Sequence, residues 1–318
     1  MIRLFTIDQS IIREIPVAGA TDDIELMRTA HWIDAHEPTE PERELLSTLL
    51  SVELPESDDV EEIEASARCF VDQAGIHVHS LFLAPQEGRH TTVTVACILQ
   101  DERLITIRED EIADFRLLRL RARRGQVTCS DPAGLLVTIL EQKVENHADT
   151  VEDLHRQLED VSHLVLEEKD SELYQAISKM ARLEDSNGKI RLCLMDTQRD
   201  ISFLLRNLKG RPAHEETLRE IMRDVETLMS HTTFLFDKIN FLMDSTQGFI
   251  NIRQNQIIKT FSIAAVVFLP PTLVASAYGM NFSHMPELEW LLGYPWALGL
   301  MLLSGFAPYW FFKRKGWL

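Results

Sequence analysis

Two long runs without charge stand out at the C-terminal end of an otherwise charge-rich chain. Phe261 to Met280 is twenty residues without a charged side chain, and Trp290 to Phe312 is twenty-three more. About 20 apolar residues rising 1.5 Å each cross a hydrocarbon core roughly 30 Å thick. Both runs are expected to be transmembrane helices; the alternative is a pair of buried core helices.

Upstream, the period of the pattern changes twice. Alternating β-branched and apolar positions predict strands over Ile2–Ile7, Ala30–Asp34, Ala67–Val71, His77–Leu83, Thr91–Leu99 and Leu104–Arg108. Ala74-Gly75 and Gln100-Asp101-Glu102 read as hairpin turns, and Thr39 as the cap of a helix over Glu40–Leu50. From Asp131-Pro132, an N-cap followed by proline at the first helical position, the spacing becomes helical through Leu136, Leu140, Val144, Val151, Leu158 and Leu164. A second helix is predicted over Ser171–Leu208. A third begins near Ala213, meets no proline until Pro270, and covers about 67 residues if it continues to Gly279. So long a helix needs partners along its length, and it reads as a stalk that enters the membrane.

The fold class is therefore an α+β membrane protein. Residues 1–125 are expected to form a cytoplasmic α/β domain and 126–255 a cytoplasmic helical stalk region. The first span is 256–280, the outer loop 281–289, the second span 290–312, and the basic tail 313–318.

Charge follows the same division. The chain of 318 residues has a net charge of −18, yet beyond Asn251 five basic residues face two acidic ones, leaving −21 on the part before. An acidic body argues against nucleic acid as a partner. Cys69, Cys97, Cys129 and Cys193 are scattered, giving neither a disulfide framework nor a zinc site, and suit a reducing compartment. The N-terminus has no apolar stretch long enough for a signal peptide. Lys313, Arg314 and Lys315 follow the second span, Arg253 and Lys259 precede the first, and Asn281–Glu289 has two glutamates and no cation. Positive charge stays inside, so both termini are expected in the cytoplasm of a multi-pass inner-membrane protein. Trp290, Tyr294, Trp296, Tyr309, Trp310 and Trp317 sit near the span ends, where amphipathic rings favour the interface.

The first span ends in Tyr278-Gly279-Met280-Asn281, followed by Met285-Pro286-Glu287-Leu288. With Phe249-Ile250-Asn251-Ile252, Phe268-Leu269-Pro270-Pro271-Thr272-Leu273-Val274-Ala275, Arg191 to Gln198 and the terminal Phe312-Lys313-Arg314-Lys315, this resembles the CorA family of divalent-cation channels. The hallmark of that family is YGMN at the outer end of the first of two C-terminal spans. The MPEL loop is similar to that of the magnesium-transporting branch; the zinc-exporting branch is the nearer rival. The resemblance implies a funnel-shaped homopentamer in which five copies of the first span line one pore. It implies Mg²⁺ influx down the electrochemical gradient, with Co²⁺ and Ni²⁺ as secondary ions, gated by intracellular Mg²⁺. It also implies a selectivity filter of Tyr278, Gly279, Met280 and Asn281. Asn255 matches a pore asparagine, Thr272 a polar ring, Asp244 an acidic ring, and Ile258 and Phe261 apolar gate positions.

The residue chemistry agrees. Mg²⁺ dehydrates reluctantly and is held through its own waters, so a filter should offer neutral oxygens. Gly279 bares its carbonyl and Asn281 adds an amide oxygen; five copies would form rings of dipoles. A left-handed helix C-cap is the alternative use of Gly279 and Asn281. Stepping inward at helical spacing gives Ser276, Thr272, Leu269, Ala265, Ser262, Ile258, Asn255, Asn251, Gly248 and Asp244, a stripe that is mostly small or polar. Hydrated metal is expected at Gly279, Asn281 and Asp244, with Glu287 and Glu289 in the outer loop. Pro270-Pro271 should loosen the helix and widen the pore.

Other signals are weaker. His77 and His79 fall on one face of a strand, as a metal pair or a solvated edge. No Ser/His/Asp set, Walker loop or GxGxxG occurs, so neither an enzyme nor a resident cofactor is expected. The acidic surplus reads as solubility or as magnesium-sensing carboxylates, with Glu220 and Asp224 as candidates. A membrane-anchored sensor or scaffold is the rival of another class, but it has no need of the stripe or the YGMN loop.

Overall fold

The computed structural model describes residues 1–16, 24–50, 68–86, 89–166, 173–281, 285–286 and 290–316. They divide into two compact units, Met1–Met243 and Asp244–Leu318. The first unit is built on a seven-stranded sheet of order β2-β1-β3-β7-β6-β5-β4. Its strands are β1 (Ile2–Asp8), β2 (Ile11–Ile15), β3 (Trp32–His36), β4 (Cys69–Val71), β5 (Ile76–Gln86), β6 (Arg89–Leu99) and β7 (Leu104–Arg108). Pairing is antiparallel except between β3 and β7, where Trp32 stands opposite Leu104.

Strand alternation sends side chains to two differently covered faces. Ile2, Leu4, Ile33, Ala35, Ile98 and Ile105 meet Met27 of α1 (Ile24–Thr29) and Leu46 and Leu50 of α2 (Glu40–Leu50). On the other face Asp34 is fully buried, taking hydrogen bonds from Thr106 Oγ1 at 3.0 Å, from Arg108, and from Arg119 of α3 (Ala113–Arg123) at 2.9 Å. Burial alone would raise the Asp34 pKa, but Arg108 and Arg119 hold it below the usual carboxylate value.

Helix α4 (Pro132–Leu166) lies against β6 and β7, and α5 (Leu173–Asn207) against β5 and β6. Asp131 caps α4 as its sequence predicts: its Oδ1 accepts the Gly134 N–H at 2.7 Å. In α6 (Pro212–Tyr278), Leu218, Ile221, Val225, Leu228, Thr232, Leu235 and Ile239 form a buried stripe at spacings of three and four. Its 67 residues run from the first unit into the second without a break at Pro270-Pro271. Helix α7 (Gly293–Arg314) completes the second unit.

Strands β2 and helices α1 and α3 go beyond the sequence expectation. Strand β2 follows β1 after only two residues, Gln9 and Ser10, both at positive φ, in a turn with no glycine to announce it. Glycine marks the β4–β5 turn instead: Gly75 has φ 138°, and a Cβ there would lie 2.3 Å from the Leu99 carbonyl oxygen. The pair His77 and His79 is buried rather than solvated. His77 Nε2 lies 2.9 Å from Asp72 Oδ1 and its ring stacks on Phe70. Burial, then His77, lowers His79 to a pKa of about 4.

Candidate functional site

In the second unit, partial burial on α6 is confined to Ile263, Val267, Pro270, Pro271, Val274 and Tyr278 within the apolar run. Steps of three and four place these on one face. On α7 the corresponding face carries Gly293, Ala297, Met301, Ser304, Gly305, Pro308 and Phe312, and Gly299 is partly buried on another side of the helix. A methyl group on Gly305 would lie 3.2 Å from Pro271 Cγ, so these faces meet. Ile258, Ser262, Leu269, Thr272 and Ser276 are exposed, and lie about half a turn round α6 from the face turned to α7. Phe261, 73% exposed, flanks them. Asp244, Asn251 and Asn255 continue the exposed side toward the start of the unit.

The helix ends where the motif begins. The Gly279 N–H donates to the Ala275 carbonyl at 3.0 Å and Met280 N–H to Ala277 at 3.4 Å, extending the last turn beyond Tyr278. Gly279 is not one of the glycines with positive φ, so the left-handed cap is not the use made of it. Asn281 is exposed immediately after. Glu287, Glu289 and Trp317 lie outside the described residues.

In the first unit the structure brings Glu220 and Asp224 of α6 together with Glu141 and Glu145 of α4, around a cavity of about 300 Å³. Burial raises the Glu141 pKa, and the charges of Glu145, Glu220 and Asp224 add to that. Sequence reasoning missed Glu141 and Glu145, although their spacing of four puts both on one face of a helix. Among the described residues no three His, Cys, Asp or Glu side chains converge closely enough to hold a metal ion directly. A cation here would be bound through its waters, as suits Mg²⁺.

Among the described residues, α6 is the helix long and apolar enough to cross a membrane, and only 6% of its apolar window is buried. Helix α7 is uncharged up to Lys313, but its Gly, Pro, Tyr and Trp residues lower its hydropathy. Residues 28–314 match the family described as CorA-like Mg²⁺ transporter protein. The chain belongs to that family. It is 47% identical over 299 residues to the magnesium transport protein CorA of Pectobacterium atrosepticum, covering 93% of this chain and 95% of the relative. With the protein of the same name from Escherichia coli K12 it shares 48% identity over 291 residues, covering 91% and 92%. Its fold is similar to the complete structure of the CorA magnesium transporter of Methanocaldococcus jannaschii, with a TM-score of 0.77 at 20% identity over 100% and 99% of the two chains. Family membership and the exposed apolar helix make this a membrane protein.

Proposed function

We propose that the protein transports Mg²⁺ across the membrane through a pore lined by α6 of five identical subunits. The observation that carries this is the stripe of Ile258, Ser262, Leu269, Thr272 and Ser276 on the side of α6 turned away from α7, leading to Gly279-Met280-Asn281. A helix that served only as an anchor would have no need of hydroxyls there, since polar groups in hydrocarbon are costly. The second span is α7, and both termini face the cytoplasm of a bacterial inner membrane, an orientation supported by Lys313, Arg314 and Lys315. The membrane potential drives influx, supplying about 2.3 kcal/mol per charge per 100 mV and twice that for a divalent ion. No chemical fuel is needed.

Hydrated Mg²⁺ meets the carbonyl of Gly279 and the amide of Asn281 at the outer end, and Asp244 at the inner end. Tyr278 and Met280 complete the filter, Ile258 and Phe261 form the apolar gate, and Co²⁺ and Ni²⁺ pass as secondary ions. Intracellular Mg²⁺ closes the pore, and the cavity of Glu141, Glu145, Glu220 and Asp224 is one of its binding places: repulsion among four carboxylates falls when a hydrated cation enters.

The test is uptake into liposomes holding the full chain, with an Mg²⁺ indicator inside and an inward-negative potential. Uptake that grows with the potential supports the reading. Uptake of Zn²⁺ without Mg²⁺ would favour the zinc branch, and no flux of any ion would favour an anchor.

A further inference from the structure

Proline at 271 has no N–H, so the Val267 carbonyl lacks the donor that residue 271 would supply to an ordinary helix. Within lipid such a group has to be met by a neighbouring helix, a side chain or water. The nearby hydroxyls are committed elsewhere: Thr272 Oγ1 donates to the Phe268 carbonyl at 2.7 Å and Ser304 Oγ to the Met301 carbonyl at 2.9 Å. What does approach is the backbone of α7 at Gly305. A methyl built there would lie 3.2 Å from Pro271 Cγ, tighter than an ordinary side-chain contact, and 3.5 Å from the Val267 carbonyl oxygen, in ordinary van der Waals contact. Gly299, on the same helix, has nothing within 4 Å of its Cβ position.

Small residues let membrane helices approach backbone to backbone, and Cα–H groups then contact carbonyl oxygens across the interface. Gly305 therefore leaves little room for a side chain against Pro271, where Gly299 is open. The side of α6 opposite this contact carries Leu269 and Thr272, the residues adjoining the two prolines and facing the pore in the reading above. Anything that pushes α7 outward at Gly305 changes how α6 is held at the level of those two side chains.

We propose that Gly305 is a positioning residue for ion conduction. It seats the second helix against the carbonyl freed by Pro271, and so fixes how α6 is held and the width of the pore at Leu269 and Thr272. This inference rests on the transport reading.

The test is Mg²⁺ uptake per assembled oligomer in proteoliposomes for wild type, Gly305→Ala, Gly305→Val and Gly299→Val, each also combined with Pro271→Ala. Overpacking at Gly305 is expected to lower uptake about tenfold for Val and about threefold for Ala, and to shift the internal Mg²⁺ concentration that halves uptake. Gly299→Val should stay within about twofold of wild type. In the Pro271→Ala background, where the ring is gone and residue 271 can donate to Val267, Gly305→Val should cost no more than about twofold relative to Pro271→Ala alone. If Gly305→Val does not assemble, Gly305→Ala carries the same comparison. Equal losses in both backgrounds, equal losses at Gly299 and Gly305, or no loss at Gly305 in a conducting protein would overturn the role of Gly305. A wild type that takes up no Mg²⁺ would overturn the transport reading itself.

Discussion

The Nζ of Lys143 donates a hydrogen bond to Ser80 Oγ at 2.7 Å, joining α4 to the sheet through two fully buried side chains. Ser80 passes the interaction on to Asp200 of α5, and the ammonium also lies 4.8 Å from the centre of the Phe82 ring. Burial raises the Asp200 pKa to about 6, which Lys143 opposes and Asp196 reinforces. Lys143→Met leaves Asp200 without its cation and should destabilise the protein by about 3–5 kcal/mol. Thermal unfolding in detergent checks this, and adding Asp200→Asn should recover a substantial part of the loss.

His147 of α4 titrates in the opposite sense. Burial first, and then the charge of Lys143, lower its pKa from 6.5 to about 3. The unfolded chain takes up a proton below pH 6.5 while the folded one does not, so stability is lost as the pH falls from 6.5 toward 3. The raised Asp200 carboxyl works against this between about 6 and 4, because there the folded state holds the extra proton. A difference experiment separates the two: as the pH falls from 6.5 to 4, unfolding midpoints of His147→Leu should rise relative to those of the wild type, because only the opposing Asp200 contribution remains.

At the start of the long helix, Asp131 serves two elements at once. Beyond capping α4, its Oδ1 lies 2.9 Å from His214 Nε2 and its Oδ2 accepts from Arg211 Nη1 at 3.0 Å. Asp131→Ala should cost about 0.5–2 kcal/mol from the cap alone and more from the released partners. Asp131→Asn keeps a capping oxygen and should cost less, as unfolding of the two variants side by side would reveal.

The helical half of this architecture was legible because its signals are local. Asp131-Pro132 starts α4, Thr39 precedes α2, and the unbroken run from Ala213 anticipates a helix observed over Pro212–Tyr278. Strand β2 was hidden because Gln9 and Ser10 make a left-handed turn without glycine. Helix α3 was hidden because arginines fill it: Arg119 points inward to Asp34, a partner 85 residues away that no local pattern announces. The candidate pore stripe could be written down from spacing alone. The face of α6 that meets α7, the closeness of Gly305 to Pro271, and the joining of Glu141 and Glu145 with Glu220 and Asp224 depend on how helices pack.

That four-carboxylate cavity yields a regulatory prediction. Replacing Glu141, Glu220 and Asp224 together by Gln, Gln and Asn removes the repulsion that a hydrated cation would relieve. Uptake into liposomes should then need a several-fold higher internal Mg²⁺ concentration to be halved, a gap that should narrow as salt screens the charges. Unchanged inhibition in the triple variant would remove this cavity from the regulatory account.

The central claim is that Mg²⁺ passes the ring formed by Gly279 and Asn281 at the end of α6. Its most direct test compares potential-driven Mg²⁺ uptake by liposomes containing the wild type with uptake by Asn281→Ala at equal amounts of assembled protein. Asn281 is exposed beyond the helix end, so the substitution should leave folding intact. The account predicts strong uptake by the wild type and at least about a tenfold loss in the variant, since the displaced amide oxygen is one of few groups meeting the ion. Equal, undiminished flux through both proteins would contradict it.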